Sequence, residues 1–493
     1  MKKATTLAAA LLCAAVSFGE LSTLTPKVLK ASWADGWWMP RHQSKVAEAA
    51  KKAPKVVFIG DSITHHWDTC ATAQRDKYFS KGDLKMLNLG FEGDRTQNVL
   101  WRLTEGKELD GFEAKVVFLM IGTNNAGWGK EPPIDTIAGI REIIRVIREK
   151  QPKAKLVLTA IFPRGKDGND FCRKYNATVN REIVKFADGK DIVWLDFNDR
   201  FLNADGTLPQ KMFPDFLHPT GDGYEIWAEE ALPYAKAALA GKPMPKPKKG
   251  SSSAKAGAAD APLAAQAVSR IGCEGSGAKD WWLDRAIASR RQIVESKGEI
   301  DLVFLGDSAA YGWEKQGKDS LAELRKTYSV VNIGYADDST QNVLWRVQNG
   351  ELDHYTAKCI LLAVGTDSVR NGKDKPEEVA SGIRQILDVI AKKQPKTTTL
   401  LLSVLPVGNG PKSASRVHGE KVNDIIKGYA DGKKVIWVDF TNNLLDAKGD
   451  NLMWMPDRGH LSAVGYREIC MPVVLPLFKG ILDLSGDGVP MSK

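Results

Sequence analysis

Short apolar segments alternate with longer amphipathic stretches along most of this 493-residue chain. The stretch 134–150 places its isoleucines at helical spacing, and the run 223–239 is predicted as a further helix. The apolar segments are continuous rather than alternating, which is typical of strands buried on both faces. In the first half of the chain the predicted strands are 55–60, 85–90, 115–122, 155–163 and 191–197. This order predicts an α/β fold, with a parallel sheet covered by helices on both faces.

The second half of the chain repeats the same order of elements. Its predicted strands are 301–306, 329–334, 359–365, 398–406 and 434–440. The letters repeat as well, since VVFIGDSIT returns as LVFLGDSAA, GFEGDRTQNVLWR as GYADDSTQNVLWR, IGTNN as VGTDS, and FPDFLHPTGDGY as MPDRGHLSAVGY. We therefore predict two tandem domains, 20–240 and 263–493, each with a five-stranded parallel sheet. Each is long enough to bury its own core.

The two remaining segments differ from the domains in composition. Residues 1–19 carry two lysines, an apolar run and then small residues, as secretory signal peptides do. A lipid anchor on Cys13 is the weaker alternative, because Leu12 precedes it where a small residue is expected. The apolar run is too short to span a membrane well, so we expect a secreted or periplasmic protein without stable membrane insertion. Residues 241–262, rich in lysine, proline, serine and alanine, are predicted to be a linker.

Charge and cysteine usage exclude two function classes. The net charge is +9, but the leader lysines and the linker hold most of it, and no compact basic patch with aromatic residues stands out. Nucleic-acid binding is therefore not expected. The cysteines that remain after the leader lack the spacing of a zinc site, so we predict no metal and no cofactor. Cys359 lies in an apolar run and is expected to be buried, whereas the disulfide status stays open for Cys70, Cys172, Cys273, Cys359 and Cys470.

Candidate catalytic residues follow successive strands of the first repeat. Ser62 follows the first strand, Gly93 the second and Asn124 the third, while Asp215 and His218 come just before the last helix. Because ligands bind at the carboxyl ends of the strands in an open parallel sheet, we expect these residues to meet at one edge.

The residue types assign a role to each position. A serine hydroxyl is a weak nucleophile that needs a base, and His218 suits that task near neutral pH. Asp215 can orient the imidazole and stabilise its charged form. The backbone N–H groups of Ser62 and Gly93, with the side-chain amide of Asn124, form a predicted oxyanion hole.

Each of these signals is weak when it stands alone. A Gly-Asp-Ser tripeptide occurs by chance, and an Asp-x-x-His segment before a helix can be a helix cap. His65 and His66 also lie near the serine, but no carboxylate stands at a fixed spacing from them, so they are the second choice of base. The paired tryptophans Trp37 and Trp38 are predicted to pack a helix rather than to bind a ligand.

At these residues the chain resembles the SGNH, or GDSL-type, family of serine hydrolases. The match covers four blocks, around Ser62, Gly93, Asn124 and Asp215/His218, and recurs more loosely in the second repeat. The strings LNLGFEGDRTQNVLWRL and MFPDFLHPTGDGY are similar to the catalytic subunits of platelet-activating-factor acetylhydrolases and their bacterial relatives. The resemblance implies a three-layer α/β/α flavodoxin-like fold and metal-free hydrolysis of short acyl, often acetyl, esters.

The second repeat keeps a serine, an aspartate and a histidine but changes both oxyanion positions. Ser308, Asp457 and His460 correspond to the first triad, while Asp337 replaces Gly93 and Asp367 replaces Asn124. A carboxylate at that place repels a developing oxyanion instead of stabilising it. We therefore predict weak or no esterase activity there, with glycan binding or interdomain packing as its role. Altered chemistry with a rebuilt oxyanion hole is the alternative.

The sequence thus favours an exported serine esterase whose active site lies in the first domain. Its expected substrates are short-chain esters, acetyl esters above all, carried by an acylated small molecule or an acetylated glycan. A lipid or lysophospholipid esterase, or a thioesterase, is the alternative among enzymes. A non-catalytic binding protein for acylated ligands is the alternative from another class. The oligomeric state stays open.

Overall fold

A computed structural model describes residues 21–246, 265–272 and 281–485. It contains two five-stranded sheets, one in each repeat, which confirms the predicted α/β class and the tandem arrangement. The predicted leader 1–19 and most of the predicted linker 241–262 lie outside the described residues. The predicted domain limits therefore stay predictions.

The first sheet is parallel throughout and has the strand order β2-β1-β3-β4-β5. Its strands are β1 Val56–Gly60, β2 Met86–Gly90, β3 Val116–Met120, β4 Lys155–Thr159 and β5 Ile192–Leu195. Its helices are α1 Trp38–Lys52, α2 Ser62–His65, α3 Thr72–Phe79, α4 Thr96–Leu103, α5 Pro133–Lys150, α6 Phe171–Ile183 and α7 Gly221–Leu239. Both helices predicted from periodicity are present, as α5 and α7.

The second sheet has the same parallel order, β7-β6-β8-β9-β10. Its strands are β6 Glu299–Gly306, β7 Val330–Gly334, β8 Thr356–Ala363, β9 Thr398–Leu402 and β10 Val435–Val438. Its helices are α8 Trp281–Glu295, α9 Ser308–Tyr311, α10 Lys318–Arg325, α11 Thr340–Gln348, α12 Thr366–Asn371, α13 Pro376–Lys393, α14 Ala414–Ile426, α15 Ala463–Gly465 and α16 Met471–Ser485. The repeat seen in the letters is therefore a repeat of the fold.

Continuous burial along the strands produces the three layers. Along β1, Val57 and Ile59 belong to one hydrophobic cluster, whereas Val56 and Phe58 belong to a second cluster. Successive strand residues point to opposite faces, so the two clusters lie on opposite sides of the sheet. In the second cluster Phe58 stacks on Phe118 with ring centroids 4.4 Å apart. A strand with one solvated face would alternate, and this one is apolar at every position.

Several predicted strands extend beyond the observed ones, two of them by four residues. The strand predicted at 155–163 ends at Thr159, and the one predicted at 398–406 ends at Leu402. Beyond Thr159 the chain stays apolar and buried, and Ala160 N–H still donates to Leu195 O of β5, but from Ile161 the backbone bonds a side chain instead of a strand. The amide of Asn180 accepts from Ile161 N–H at 2.9 Å and donates to Ile161 O at 2.8 Å. Because burial continues past the end of the strand, the apolar pattern alone predicts a strand that is too long.

The two domains contact each other through α5 and α8. Arg290 on α8 is buried and forms two 3.0 Å bonds, Nε to Asp135 Oδ1 and Nη2 to Asp135 Oδ2, with α5 of the first domain. The backbone N–H of Ile134 donates to Asn349 O at 3.2 Å. Trp282 of the second domain belongs to a hydrophobic cluster of the first. A paired buried charge within an apolar contact holds the domains in a defined orientation.

Two features of the described residues bear on the class of protein. Within the described ranges, no helix is both long enough and apolar enough to cross a membrane. Cys70, Cys172, Cys359 and Cys470 are free thiols, while Cys273 lies outside the described residues. Burial raises the pKa of Cys359 to about 12, which agrees with the predicted role of this residue as a small buried hydrophobe.

Candidate active site

The candidate nucleophile lies at the carboxyl end of β1, the second strand in the order of the sheet. Ser62 is the first residue of α2, directly after β1, and Asp61 caps that helix by accepting from Ile63 N–H at 3.0 Å. The next strand approaches this turn very closely. A β-carbon added to Gly90 would lie 2.1 Å from the backbone nitrogen of His65, so only glycine fits there. The end of β2 therefore packs directly against the turn that carries Ser62.

The structure joins the three predicted triad residues in one hydrogen-bonded chain. Ser62 Oγ is 2.8 Å from His218 Nε2, and His218 Nδ1 is 2.6 Å from Asp215 Oδ2. The other carboxylate oxygen of Asp215 accepts from the backbone N–H groups of Leu217 and His218. Although partial burial opposes it, this bonding holds the pKa of Asp215 below its ordinary value. A carboxylate that stays ionised keeps Nδ1 protonated and leaves Nε2 free to take the serine proton.

The predicted oxyanion residues Gly93 and Asn124 lie on two loops that contact each other. Gly93 has φ +75°, a left-handed backbone conformation that favours glycine. The side chain of Asn124 is buried, and its amide nitrogen donates to Asp94 O at 3.1 Å. An amide group has two N–H bonds, so one remains for a substrate oxygen while the other fixes the side chain. The buried Asp94 is itself held by Trp38 Nε1 and Arg102 Nε, each at 2.8 Å.

His65 and His66 line the same edge but do not take the place of His218. The ring of His66 is 4.8 Å from that of His218, and the ring of His65 stacks on Trp37 at 5.7 Å. Burial lowers the pKa of His65 to about 3, and burial together with His218 lowers that of His66. Both imidazoles therefore stay neutral near pH 7. The hydrogen bond of the Ser62 hydroxyl is with His218, so His65 and His66 remain the second choice of base.

The raised pKa of Asp61 predicts that the stability of the fold depends on pH. Burial, reinforced by the charge of Asp94, raises the pKa of Asp61 to about 7 from an ordinary 3.8. Between these values the folded state holds a proton that the unfolded state has released, so the free energy of unfolding falls as pH rises. Asp61→Asn keeps an oxygen for Ile63 N–H and removes this titration. Its stability relative to wild type should therefore increase from about pH 4.5 to about pH 7.5, as measured by urea unfolding.

Asp68→Asn is the control for that measurement. Arg41 and Lys45 overcome the effect of burial and lower the pKa of Asp68 to about 2, so its contribution to stability is lost only as pH falls below the ordinary value. Its stability difference from wild type should stay constant over the same range. A constant difference for Asp61→Asn as well would contradict the assigned titration.

The second domain brings its corresponding residues together in a different hydrogen-bonding pattern. His460 Nδ1 is 2.7 Å from Asp457 Oδ2, as in the first domain. Ser308 Oγ, however, accepts from the backbone N–H of Asp337 at 2.9 Å. The serine oxygen thus occupies a donor that the first domain leaves for a substrate. Among the described residues, no hydrogen bond joins this hydroxyl to His460.

An arginine that the sequence analysis missed separates the histidine from the serine. Arg370 Nη1 is 3.1 Å from His460 Nε2 and 2.8 Å from Asp367 Oδ1. The other oxygen of Asp367 accepts from Ser308 N–H at 3.0 Å. The carboxylate of Asp367 therefore occupies the N–H of Ser308, which corresponds to a predicted oxyanion donor of the first domain. The guanidinium of Arg370 faces His460 Nε2, which corresponds to the nitrogen of the predicted base. The repeat offered a signal, because Arg370 corresponds to Gly127 in the first copy.

The tryptophans near the site divide into two groups. Trp38 is buried and packs 5.6 Å from Trp101, as predicted for a packing residue. Trp37 is only half-buried and stacks on His65, so packing describes it incompletely. Trp33 and Trp128, which the sequence analysis did not single out, are exposed beside Gly93. The repeat again offered a signal for them, because the second copy has glycine in place of Trp33 and asparagine in place of Trp128.

Side chains and backbone N–H groups supply the groups for chemistry at this edge. Within the described ranges, no group of three histidine, cysteine, aspartate or glutamate residues has the geometry to hold a metal ion. A serine joined through histidine to an ionised aspartate, beside two kinds of N–H donor, can attack an acyl carbon and stabilise the resulting oxyanion.

Comparison with known proteins places the chain in a family of lipases and acylhydrolases. The model of the GDSL-like lipase/acylhydrolase family matches residues 58–226 and again 304–468. The chain belongs to this family, and it is a hydrolase that cleaves esters. The family match falls on both repeats, in agreement with the resemblance found from the motifs.

Curated relatives agree with the assignment, and the chain is also similar to solved structures. Platelet-activating factor acetylhydrolase IB subunit alpha1 from Bos taurus is 38% identical over 192 residues, 38% of this chain and 78% of its own length. Subunit alpha2 from Rattus norvegicus is 35% identical over 192 residues, 38% of this chain and 80% of its own. A GDSL-like lipase from Bacteroides thetaiotaomicron is similar with a TM-score of 0.34 and 20% identity, over 40% of this chain and 96% of its own.

Proposed function

We propose that the chain is an exported serine esterase whose first domain, within 20–240, hydrolyses short-chain carboxylic esters. The observation that carries the proposal is the hydrogen-bonded chain from Asp215 through His218 to Ser62. The leader-like residues 1–19 support export to the periplasm or the medium.

The mechanism follows from the positions of the donors and acceptors. Ser62 Oγ attacks the carbonyl carbon of the ester while His218 Nε2 takes its proton. The carbonyl oxygen becomes an oxyanion and accepts from Ser62 N–H, Gly93 N–H and Asn124 Nδ2. Collapse of this intermediate breaks the bond to the alcohol, which leaves with the proton of His218. Water, deprotonated by the same histidine, then releases the acid and restores the serine.

The surface around the serine favours a short acyl group. Within the described part of the first domain, the exposed large apolar side chains are Trp33, Trp128 and Phe171, without an exposed aliphatic residue among them. A long acyl chain needs a continuous apolar groove to repay its transfer from water. The name of the bovine relative, an acetylhydrolase, also points to acetyl esters.

The preference for acyl length is tested with the series p-nitrophenyl acetate, butyrate, octanoate and laurate. We expect kcat/KM to fall by at least about tenfold from acetate to octanoate, because the longer chain finds no apolar groove. A preference for octanoate or laurate would instead support the lipid-esterase alternative. Binding of acylated compounds without hydrolysis of any ester or thioester would support the binding protein.

The second domain, within 263–493, is proposed to be catalytically impaired. Three contacts support this, namely Asp337 N–H to Ser308 Oγ, Asp367 to Ser308 N–H, and Arg370 to His460 Nε2. Each uses an atom that catalysis requires. The role proposed for this domain is packing against the first through Arg290 and Asp135.

A further inference from the structure

Two exposed tryptophans stand directly beside the candidate oxyanion hole. Trp33 and Trp128 expose 50% and 44% of their surface. A β-carbon added to Gly93 would lie 2.3 Å from Cη2 of Trp33 and 3.4 Å from Cζ2 of Trp128. Large exposed apolar side chains grouped at one place mark a binding surface more often than scattered ones do. We call Trp33, Trp37 and Trp128 the aromatic wall.

Contacts within the aromatic wall hold its rings in place. Trp33 and Trp37 stack with centroids 6.1 Å apart, and Trp37 Nε1 donates to Trp33 O at 2.9 Å. Trp128 meets Trp33 edge-on at 6.2 Å and lies 4.8 Å beneath the Arg95 guanidinium. Arg95 is in turn bonded to Glu131 at 2.6 Å. Rings fixed before the ligand arrives lose little freedom on binding, which favours affinity.

Comparison of the two repeats distinguishes a binding role of the aromatic wall from a packing role. At the position of Trp128 it has Asn371, and at that of Trp33 it has Gly277. The buried Trp38, by contrast, is retained as the buried Trp282. The copy that lost its oxyanion residues thus also lost both exposed tryptophans but kept the two less exposed ones, Trp37 as Trp281 and Trp38 as Trp282. Pure packing residues would have been retained with the fold.

Polar groups adjoin the aromatic surface where it meets the catalytic edge. A shallow depression next to the wall is lined by Trp37, His65, Arg41 and Glu92, among others. Flat indole rings flanked by hydrogen-bonding side chains suit a ligand with an apolar face and a polar rim. A pyranose ring has this character, because its C–H bonds form a face and its hydroxyls project from the edge. An alkyl chain has no polar rim to match.

We propose that Trp33 and Trp128 bind the alcohol part of the ester, and that this part is a sugar ring stacked on the aromatic wall. The proposal rests on the esterase function proposed above and adds the class of leaving group to it. The acetyl group then lies at Ser62, and the sugar hydroxyl that it esterified leaves along the wall.

The test compares two acetyl esters, a fully acetylated sugar and an acetate of a small alkyl alcohol. Glucose pentaacetate carries a sugar ring, whereas ethyl acetate has nothing that can stack. For W33A/W128A we expect kcat/KM on glucose pentaacetate to fall by about 10–100-fold, mainly through KM, because stacking is lost from ground and transition states alike. Hydrolysis of ethyl acetate should fall at least about tenfold less than that of glucose pentaacetate, because its alcohol has no ring to stack. Phe171→Ala removes an exposed aromatic ring elsewhere and should change neither rate.

Conservative variants and a third ester separate the remaining outcomes. W33F/W128F should recover most of the loss, since a benzene ring still stacks. An equal loss on both acetates would overturn the proposal by making the wall a support of the oxyanion hole. A loss confined to dodecyl acetate would overturn the proposal by indicating that the wall binds a lipid alcohol and not a sugar. No loss on any of the three esters would also overturn the proposal. If wild type hydrolyses neither acetate, the esterase function itself fails, which is a separate result.

Discussion

Replacing Ser62 by alanine should lower the hydrolysis of p-nitrophenyl acetate by about 10⁴-fold or more, whereas replacing Ser308 should leave it unchanged. The first substitution removes the only hydroxyl that is bonded to its histidine, at 2.8 Å, among the two candidate sites. Loss of the nucleophile removes the covalent route, and such losses are among the largest that a single substitution produces in serine hydrolases.

The matched serines make this a controlled comparison. Ser62 and Ser308 follow equivalent strands, are similarly buried and each begin a helix capped by an aspartate. Their environments differ in the contacts of the hydroxyl, not in the fold. Steady-state kcat for the full chain, with circular dichroism to verify folding, measures both variants. Retained activity in Ser62→Ala together with loss in Ser308→Ala would reverse the assignment of the active domain.

Topology explains why the sequence could predict the positions of the site residues. A continuously apolar strand such as β1 must be buried on both faces, and parallel strands bring their carboxyl ends to one edge. Ser62, Gly93 and Asn124 each follow a strand, so their proximity needed no knowledge of side-chain contacts. Asp215 and His218 were harder to place, since a loop carries them, but their spacing of three residues fixed their mutual contact.

Contacts between distant elements were beyond the reach of that reasoning. The sequence alone would place Arg370 on the surface of a helix. Only the fold brings it within 3.1 Å of His460. Arg290 likewise has the character of a charge on an amphipathic helix, yet it is buried against Asp135 of the other domain. Long cationic side chains reach partners that depend on how elements pack, and periodicity contains no such information.

The aromatic wall illustrates an intermediate case. Trp37 and Trp38 are adjacent in sequence, but a helix turns neighbouring residues to different sides, so one is buried and the other faces the site. Predicting both as packing residues was therefore correct for Trp38 and incomplete for Trp37. Comparing the repeats position by position does not separate them, because the second copy keeps both, as Trp281 and Trp282.

The oxyanion hole carries the second large prediction, made by transplanting the residue of the second domain into the first. Asn124→Asp should lower kcat by at least about 10³-fold. Removing one oxyanion donor typically costs about 10²–10³-fold, and the new carboxylate adds repulsion toward the developing charge. In the second domain the same carboxylate accepts from Ser308 N–H, so the variant also offers Ser62 N–H an internal acceptor in place of the substrate.

Asn124→Ala separates the two contributions to that loss. Both substitutions remove the amide that donates to Asp94 O, so both disturb the local structure alike. Only aspartate introduces a charge, and its kcat should therefore lie below that of alanine, with KM little changed in either variant. Asp367→Asn in the second domain should leave the total rate unaltered, since Arg370 still faces His460. If Asn124→Asp were as active as Asn124→Ala or more so, Asn124 would not face the oxyanion, and the asymmetry between the repeats would have another cause.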